Sequence, residues 1–134
     1  MRSNLFAASA AIVTGLVIAC AAAPALAQDA GPAKVGQTSA GPTLTTPDGM
    51  TLYTYNRDMV GYSNCNGACA TAWPPMAAAA DAKAVGDWTI IIRDDGKHQW
   101  AFKGKALYTF VKDAKAGDAT GEGADNGKWH VAKP

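Results

Sequence analysis

The sequence predicts an all-β, mainly antiparallel domain that is built from two copies of one strand–turn–strand unit, with one short helix and one disulfide. Three observations lead to this prediction. A seven-residue phrase occurs twice, at 52–58 and 107–113, and such agreement in residue type and order indicates a duplicated unit. Runs of β-branched and aromatic residues alternate with turn residues, which is typical of strands joined by tight turns. Cys65 and Cys69 form an even pair in a chain that begins like an exported protein.

The repeated phrase places two aromatic side chains two residues apart in each copy. On a strand such a pair projects from one face, while the preceding leucine falls on the other, so both faces are predicted to be covered. A carboxylate follows three residues later, where the strand should end, and it can accept backbone N–H groups of the turn. Turn capping explains the two carboxylates better than a glycosidase-like pair does. The motif residues are Tyr53, Tyr55 and Asp58 in the first copy and Tyr108, Phe110 and Asp113 in the second.

Turn residues divide the domain into further strands. A Pro-Asp-Gly turn at 47–49 separates the first two strands, and an Asp-Asp-Gly turn at 94–96 separates the next pair. Each strand is therefore predicted to return beside the one before it, as an antiparallel meander. The predicted strands are 43–45, 50–55, 88–93, 98–102, 106–110 and 129–131.

Composition predicts the segments between the strands. Residues 64–73 favour a turn and a short helix, which the following Pro74 and Pro75 must end. The alanine-rich segment 76–84 is compatible with either a helix or a loop. Residues 114–128 are rich in Gly, Asp and Ala without apolar periodicity, and are predicted to be a long surface loop.

The N-terminus has the pattern of an export signal. Residues 1–27 combine an early positive charge, an apolar stretch and a small-x-small cleavage site. Cleavage after Ala27 would release a periplasmic or secreted protein. The alternative is a lipobox that ends at Cys20, which would be lipidated and would anchor the protein to a membrane. Residues 28–41 are predicted to be a flexible leader, and residues 42–134 to form a single domain.

Charge excludes some classes of partner. Removal of the signal takes Arg2 from the 12 Lys and Arg residues, and the remaining 11 match the 11 Asp and Glu residues. A protein that binds nucleic acid normally shows a basic excess, and none is present in the sequence. No transmembrane segment is predicted in the mature chain.

The two cysteines admit two interpretations. Export to an oxidising compartment favours a structural disulfide between Cys65 and Cys69. The alternative is a copper or thiol redox site, since thiolates with a histidine suit Cu(I), and His98 or His130 would supply the nitrogen. The strand–turn–strand plan lacks the βαβ alternation of a thioredoxin fold. The disulfide is therefore the preferred interpretation, with no metal or other cofactor.

These features resemble a known family, the bacterial secreted repeats or predicted lipoproteins that carry a Tyr-x-(Phe/Trp/Tyr)-x-x-Asp motif. The similarity runs from about residue 42 to residue 134 and includes both motif copies. It also includes the Cys-Asn-Gly-Ala-Cys-Ala-Thr-Ala-Trp-Pro-Pro segment at 65–75, the turn at 93–96 and the Trp-His-Val ending at 129–131. The resemblance implies a small exported β-rich domain, often lipid-anchored, whose biochemical role is not established.

Function is predicted only in outline. The chain contains no Gly-x-Ser-x-Gly, His-Glu-x-x-His or glycine-rich phosphate loop, so an enzyme is not expected. We expect a non-catalytic binding or structural module of the cell envelope, with an unidentified envelope partner or ligand. The contrasting class is the copper or redox protein described above.

Overall fold

The computed structural model describes Gly15 and residues 31–134. This part of the chain is mainly β, with seven strands in small antiparallel sheets and two short helices. The predicted fold class is confirmed. The predicted signal peptide and the alternative lipidation at Cys20 lie outside the described residues, apart from Gly15. The elements are β1 (Lys34–Thr38), β2 (Gly41–Thr45), β3 (Tyr53–Tyr55), α1 (Ala68–Ala72), β4 (Trp88–Ile92), β5 (His98–Phe102), β6 (Lys105–Ala106), α2 (Ala124–Gly127) and β7 (Trp129–Val131).

The strands form three sheets. β1 pairs with β2, and β4, β5 and β6 form a three-stranded meander in sequence order. β3 pairs with β7, so the first motif copy lies beside the last strand of the second half. This pairing joins the two halves of the domain through backbone hydrogen bonds.

The described part of the predicted leader is structured. β1 lies within residues 28–41 and pairs along its whole length with β2, with Val35 opposite Leu44. Ala33, just before β1, is buried among the apolar residues of the core. The interpretation of residues 31–41 as flexible is therefore corrected. Small residues such as Gly36 lowered the apparent β-propensity, but Gly36 lies against the side chain of Thr45 on the paired strand, and strand pairing overrides weak propensity.

The strand predicted at 106–110 is shorter in the structure. β6 covers Lys105–Ala106, and Tyr108 then forms isolated bridges to Tyr53 and Pro75. The chain leaves β5 at this point because the Tyr108 backbone bonds to the other motif copy. The predicted helix at 64–73 is present as α1, and the alanine-rich 76–84 contains no helix.

Two apolar clusters form the core. Tyr53 and Tyr108 belong to one cluster, whereas Leu52 and Leu107 belong to the other. Adjacent residues on an extended chain point to opposite sides, so each motif copy contributes its tyrosine to one cluster and its leucine to the other. Both faces of the repeated segment are buried, as the sequence predicted.

Four aromatic rings stack through the centre of the first cluster. The Trp73 and Trp129 rings are nearly parallel, with centroids 3.9 Å apart. Phe110 stacks on the outer face of Trp73 at 4.0 Å, and Tyr55 stacks on Trp129 at 4.3 Å. Each tryptophan therefore covers the second motif aromatic of the other half of the chain. An approximate two-fold axis between the tryptophans would exchange these contacts.

Candidate functional site

The motif tyrosines and aspartates form two crossed pairs. The Tyr53 hydroxyl donates to Asp113 Oδ2 at 2.7 Å, and the Tyr108 hydroxyl donates to Asp58 Oδ2 at 2.6 Å. In both pairs the tyrosine belongs to one copy of the motif and the aspartate to the other. The structure therefore brings the two copies together, and each copy completes the hydrogen bonding of its duplicate.

The backbone follows the same reciprocity. The N–H of Tyr53 donates to the carbonyl of Tyr108 at 2.8 Å, and the N–H of Tyr108 donates to the carbonyl of Tyr53 at 3.0 Å. A residue that pairs in this way with its own counterpart lies next to the symmetry axis of the duplicated unit. The two tyrosines are thus held by main chain and side chain together, and both are 0% exposed.

Each motif aspartate also holds the loop that follows its own copy. Asp58 Oδ1 accepts the backbone N–H of Asn64 at 2.7 Å. Asp113 Oδ1 accepts the backbone N–H of Thr120 at 2.9 Å and its hydroxyl at 2.6 Å. Each carboxylate is thus bound to a different tyrosine and to a different loop.

Burial controls the ionisation of the motif. It raises the pKa of both tyrosine hydroxyls well above the usual value, and the hydrogen bonds to the aspartates raise these pKa values further. Burial also raises the pKa of the Asp58 carboxyl, although hydrogen bonds from Tyr108 and from the Asn64 N–H oppose the shift. The tyrosines therefore stay protonated at neutral pH, as hydrogen-bond donors to the carboxylates.

Arg93 is a buried cation that the sequence did not mark as a site residue. It is 4% exposed, and its Nη1 donates to Ser63 Oγ at 2.9 Å and to Gln99 Oε1 at 2.7 Å. Since the Tyr108 hydroxyl already donates its hydrogen bond to Asp58, the Ser63 hydroxyl is the donor in its 2.6 Å hydrogen bond to the Tyr108 oxygen. The Arg93 guanidinium thus connects to one of the crossed pairs through a serine. The sequence offers one indication of this role, since Arg93 directly follows the apolar strand β4.

The predicted disulfide is confirmed. Cys65 and Cys69 are bonded, with Cα atoms 5.2 Å apart. Cys65 is fully buried and Cys69 lies in α1. The carbonyl of Cys65 accepts a hydrogen bond from Arg93 Nη2, so the disulfide loop is also tied to the buried polar network.

The two histidines lie in different surroundings. His130 on β7 donates from Nδ1 to Glu122 Oε1 at 3.0 Å, and Glu122 Oε2 accepts the backbone N–H of Val131. Burial opposes ionisation of Glu122, but these two hydrogen bonds, together with electrostatic attraction to His130 and Lys133, outweigh it and lower the pKa of Glu122. His98 begins β5. Among the described residues, no three His, Cys, Asp or Glu side chains are grouped as metal ligands, and both sulfurs of the alternative copper site are joined in the disulfide.

Two adjoining clefts lie beside the β3–β7 pair and share Thr54, the middle residue of β3. We name the larger one the lysine cleft; its volume is about 350 Å³. Its lining residues are Thr54, Asn56, Phe102, Lys103, Lys105, Leu107, His130, Val131, Ala132 and Lys133. The smaller cleft, about 260 Å³, shares Thr54, Asn56 and Lys105 and adds Asp58, Met59 and Val60 among others. Neither cleft was predicted from the sequence, because its residues come from separate segments.

The fold and the crossed pairs define a class of protein, a duplicated β domain in which two copies of one motif complete each other. A family described as a secreted repeat of unknown function matches the chain twice, at 34–77 and at 89–133. These matches cover well over half of the chain, and the chain belongs to this family of secreted repeats. The two matched ranges coincide with the two halves of the fold, β1 to α1 and β4 to β7. Comparisons with curated proteins and with solved structures give no match.

Proposed function

We propose that this secreted-repeat protein is a non-catalytic module of the cell envelope that works by binding a ligand or partner. The crossed Tyr–Asp pairs carry the proposal. The four polar groups of the motif bond to one another and to their own loops, and the tyrosines are fully buried. The most distinctive residues of the chain therefore stabilise the fold, and the open clefts provide the surface for recognition.

Export and soluble release complete the proposal. The family description supports a secreted protein. Within the described residues, neither helix has the length and apolar character needed to cross a lipid bilayer. We propose that signal cleavage after Ala27 leaves a periplasmic or secreted protein, with lipidation of Cys20 as the alternative.

The proposal predicts the mass of the protein as it is released from its native envelope. We expect a chain that starts at Gln28, has two hydrogens fewer than the reduced form and carries no lipid. A small molecule that is bound to the protein should be released by denaturation. When it is added again to the folded protein and recovered, its mass should be unchanged. Conversion of that molecule into a product would contradict a non-catalytic role. A diacylglyceryl adduct on Cys20 would instead place the domain on a membrane.

A cysteine variant separates the preferred function from the copper alternative. Replacing Cys65 and Cys69 together by serine should lower the free energy of unfolding by about 2 kcal/mol, because a loop of this length restricts the unfolded chain only modestly. Far-UV circular dichroism should stay unchanged. The reduced wild-type protein should bind Cu(I) no better than the variant.

Stoichiometric Cu(I) binding by the reduced protein would contradict this expectation if it required both cysteines and one histidine. A His98→Ala variant and a His130→Ala variant are the matched tests, since a Cys and His site needs a nitrogen ligand to complete it.

A further inference from the structure

We infer that the lysine cleft is a binding site for a small amphiphilic anion, that is, a carboxylate, sulfonate or phosphate group joined to an apolar body. This inference rests on the proposed function, and it specifies where the ligand binds and which chemistry it has.

The charge of the cleft selects an anion. Lys103, Lys105 and Lys133 line it, and none of the lining residues in the described part of the chain is an aspartate or glutamate. Glu122 lies beside this lining, where it is bonded to His130 and to a backbone N–H of β7. The chain as a whole is almost neutral, with a formal charge of +1, so this local excess of positive charge is not a consequence of composition. Positive side chains around a concave surface concentrate the field and attract anions.

Lys103 has an unusual backbone that the fold maintains. Lys103 and Gly104 form the two-residue turn between β5 and β6, and both have a positive φ, 50° and 81° respectively. Gly, Asn and Asp favour the first position of such a turn, because a Cβ is strained at positive φ and a short polar side chain can offset that strain by local hydrogen bonds. The hairpin turn imposes this conformation, so the fold keeps a lysine in the lining of the cleft at a position where asparagine would be less strained.

Two of the cations have limited freedom. Lys103 Nζ lies 5.1 Å from the centre of the Phe102 ring, an arrangement in which the ring attracts the ammonium group. Lys133 Nζ donates to the carbonyl of Ala40 at 3.0 Å, which leaves its other N–H groups available. Partly ordered donors bind an anion with a smaller loss of side-chain entropy.

The rest of the cleft gives the ligand its apolar part. Phe102 is the partly exposed apolar side chain of the lining, beside the polar Thr54 and Asn56, whereas Leu107 and Val131 are buried and form the floor. A volume of about 350 Å³ is at the small end of known ligand sites. The cleft therefore suits a compact molecule with one anionic group at the lysines and an apolar group against Phe102.

A matched pair of fluorescent probes tests this chemistry. Anilinonaphthalene sulfonate and neutral phenylnaphthylamine share one aromatic body and differ in the sulfonate. The mature disulfide-bonded protein should bind the sulfonate at least tenfold more tightly. Inorganic phosphate alone should compete weakly, because it lacks the apolar part. Equal binding of both probes, or full displacement of the sulfonate by millimolar phosphate, would overturn the inference.

The variant Lys103→Asn separates a functional from a structural role. Asparagine tolerates the left-handed backbone, so the midpoint of unfolding should rise while sulfonate binding weakens. Together with Lys105→Gln, the loss of affinity should be roughly tenfold, as expected for two partly screened charges. The control is Lys83→Gln with Lys97→Gln, which removes the same charge outside the cleft and should bind the probe like the wild type.

The outcomes distinguish the two proposals. Equal probe binding by the cleft variant and its control would refute the lysine cleft as the binding site. It would not refute the proposed binding function, which is tested by the ligand recovered from the envelope. Chemical conversion of that recovered ligand would refute the proposed non-catalytic function. It would leave the probe measurements, and so the assignment of the binding site, unchanged.

Discussion

Replacing Trp129 by alanine should lower the free energy of unfolding by about 3–5 kcal/mol, the range found for large aromatic residues in protein cores. Trp129 is 1% exposed and lies in the middle of the four-ring stack, between Trp73 and Tyr55. Its edge also meets the Tyr108 ring, with centroids 5.1 Å apart. Removing the indole leaves a cavity between the two halves of the domain. Urea unfolding followed by tryptophan fluorescence and circular dichroism measures the loss.

The duplication provides a matched test of this prediction. Trp73→Ala removes the equivalent ring of the other half and should cost a similar amount, because Trp73 stacks on both Trp129 and Phe110. The control is Tyr62→Ala, since Tyr62 is 39% exposed and lies outside the stack. If Trp129→Ala were no more destabilising than Tyr62→Ala, the stack would not be the structural centre of the fold.

The hydrogen bond between Tyr53 and Asp113 should have a coupling energy of about 1.5–3 kcal/mol, as is typical of a hydrogen bond to a charged group. A double-mutant cycle of Tyr53→Phe and Asp113→Asn measures it. Tyr53→Phe leaves Asp113 Oδ2 without its donor and the Gly121 N–H without its acceptor. Asp113→Asn keeps only one acceptor oxygen, which cannot serve both Tyr53 and Thr120 as the carboxylate does, so each variant should be destabilising. The double variant should cost less than the sum of the two, because the second change removes a group that is already unpaired.

A second cycle tests whether the pairs are crossed. Tyr53→Phe and Asp58→Asn combine the tyrosine and the aspartate of the same motif copy, which have different hydrogen-bond partners in the structure. Their effects should add to within about 0.5 kcal/mol. A large coupling in this cycle, with a small one between Tyr53 and Asp113, would mean that each copy is closed on itself.

Local patterns were enough to predict the class of fold. The two copies of the motif, with their alternation of leucine and aromatic residues, predicted a duplicated β domain that is covered on both faces. The turn residues predicted the hairpin of β4 and β5, and Pro74 and Pro75 predicted where α1 ends. These features depend on residues that are close in sequence, for which side-chain period and turn chemistry are sufficient.

Strands were predicted less well where a segment has low β-propensity but pairs with a neighbouring strand. β1 contains a glycine and polar residues, so its composition predicted a leader, and only its pairing with β2 shows that it is a strand. Tyr108 was predicted to continue a strand beside β5, but its backbone bonds to Tyr53 instead. Strand identity depends on the partner as much as on the segment itself.

The sites depend on tertiary structure for the same reason. A motif shows which side chains share a face, but not which copy supplies the partner, and Tyr53 and Asp113 are 60 residues apart. The lysine cleft likewise combines the turn after β5, strand β3 and the end of β7. Two short motifs and a pair of cysteines were sufficient to predict a duplicated, disulfide-bonded β domain. The tertiary structure alone decided which tyrosine bonds to which aspartate and which lysines line one cleft. Long-range packing brings these segments together, and the local sequence of a segment does not identify its partner.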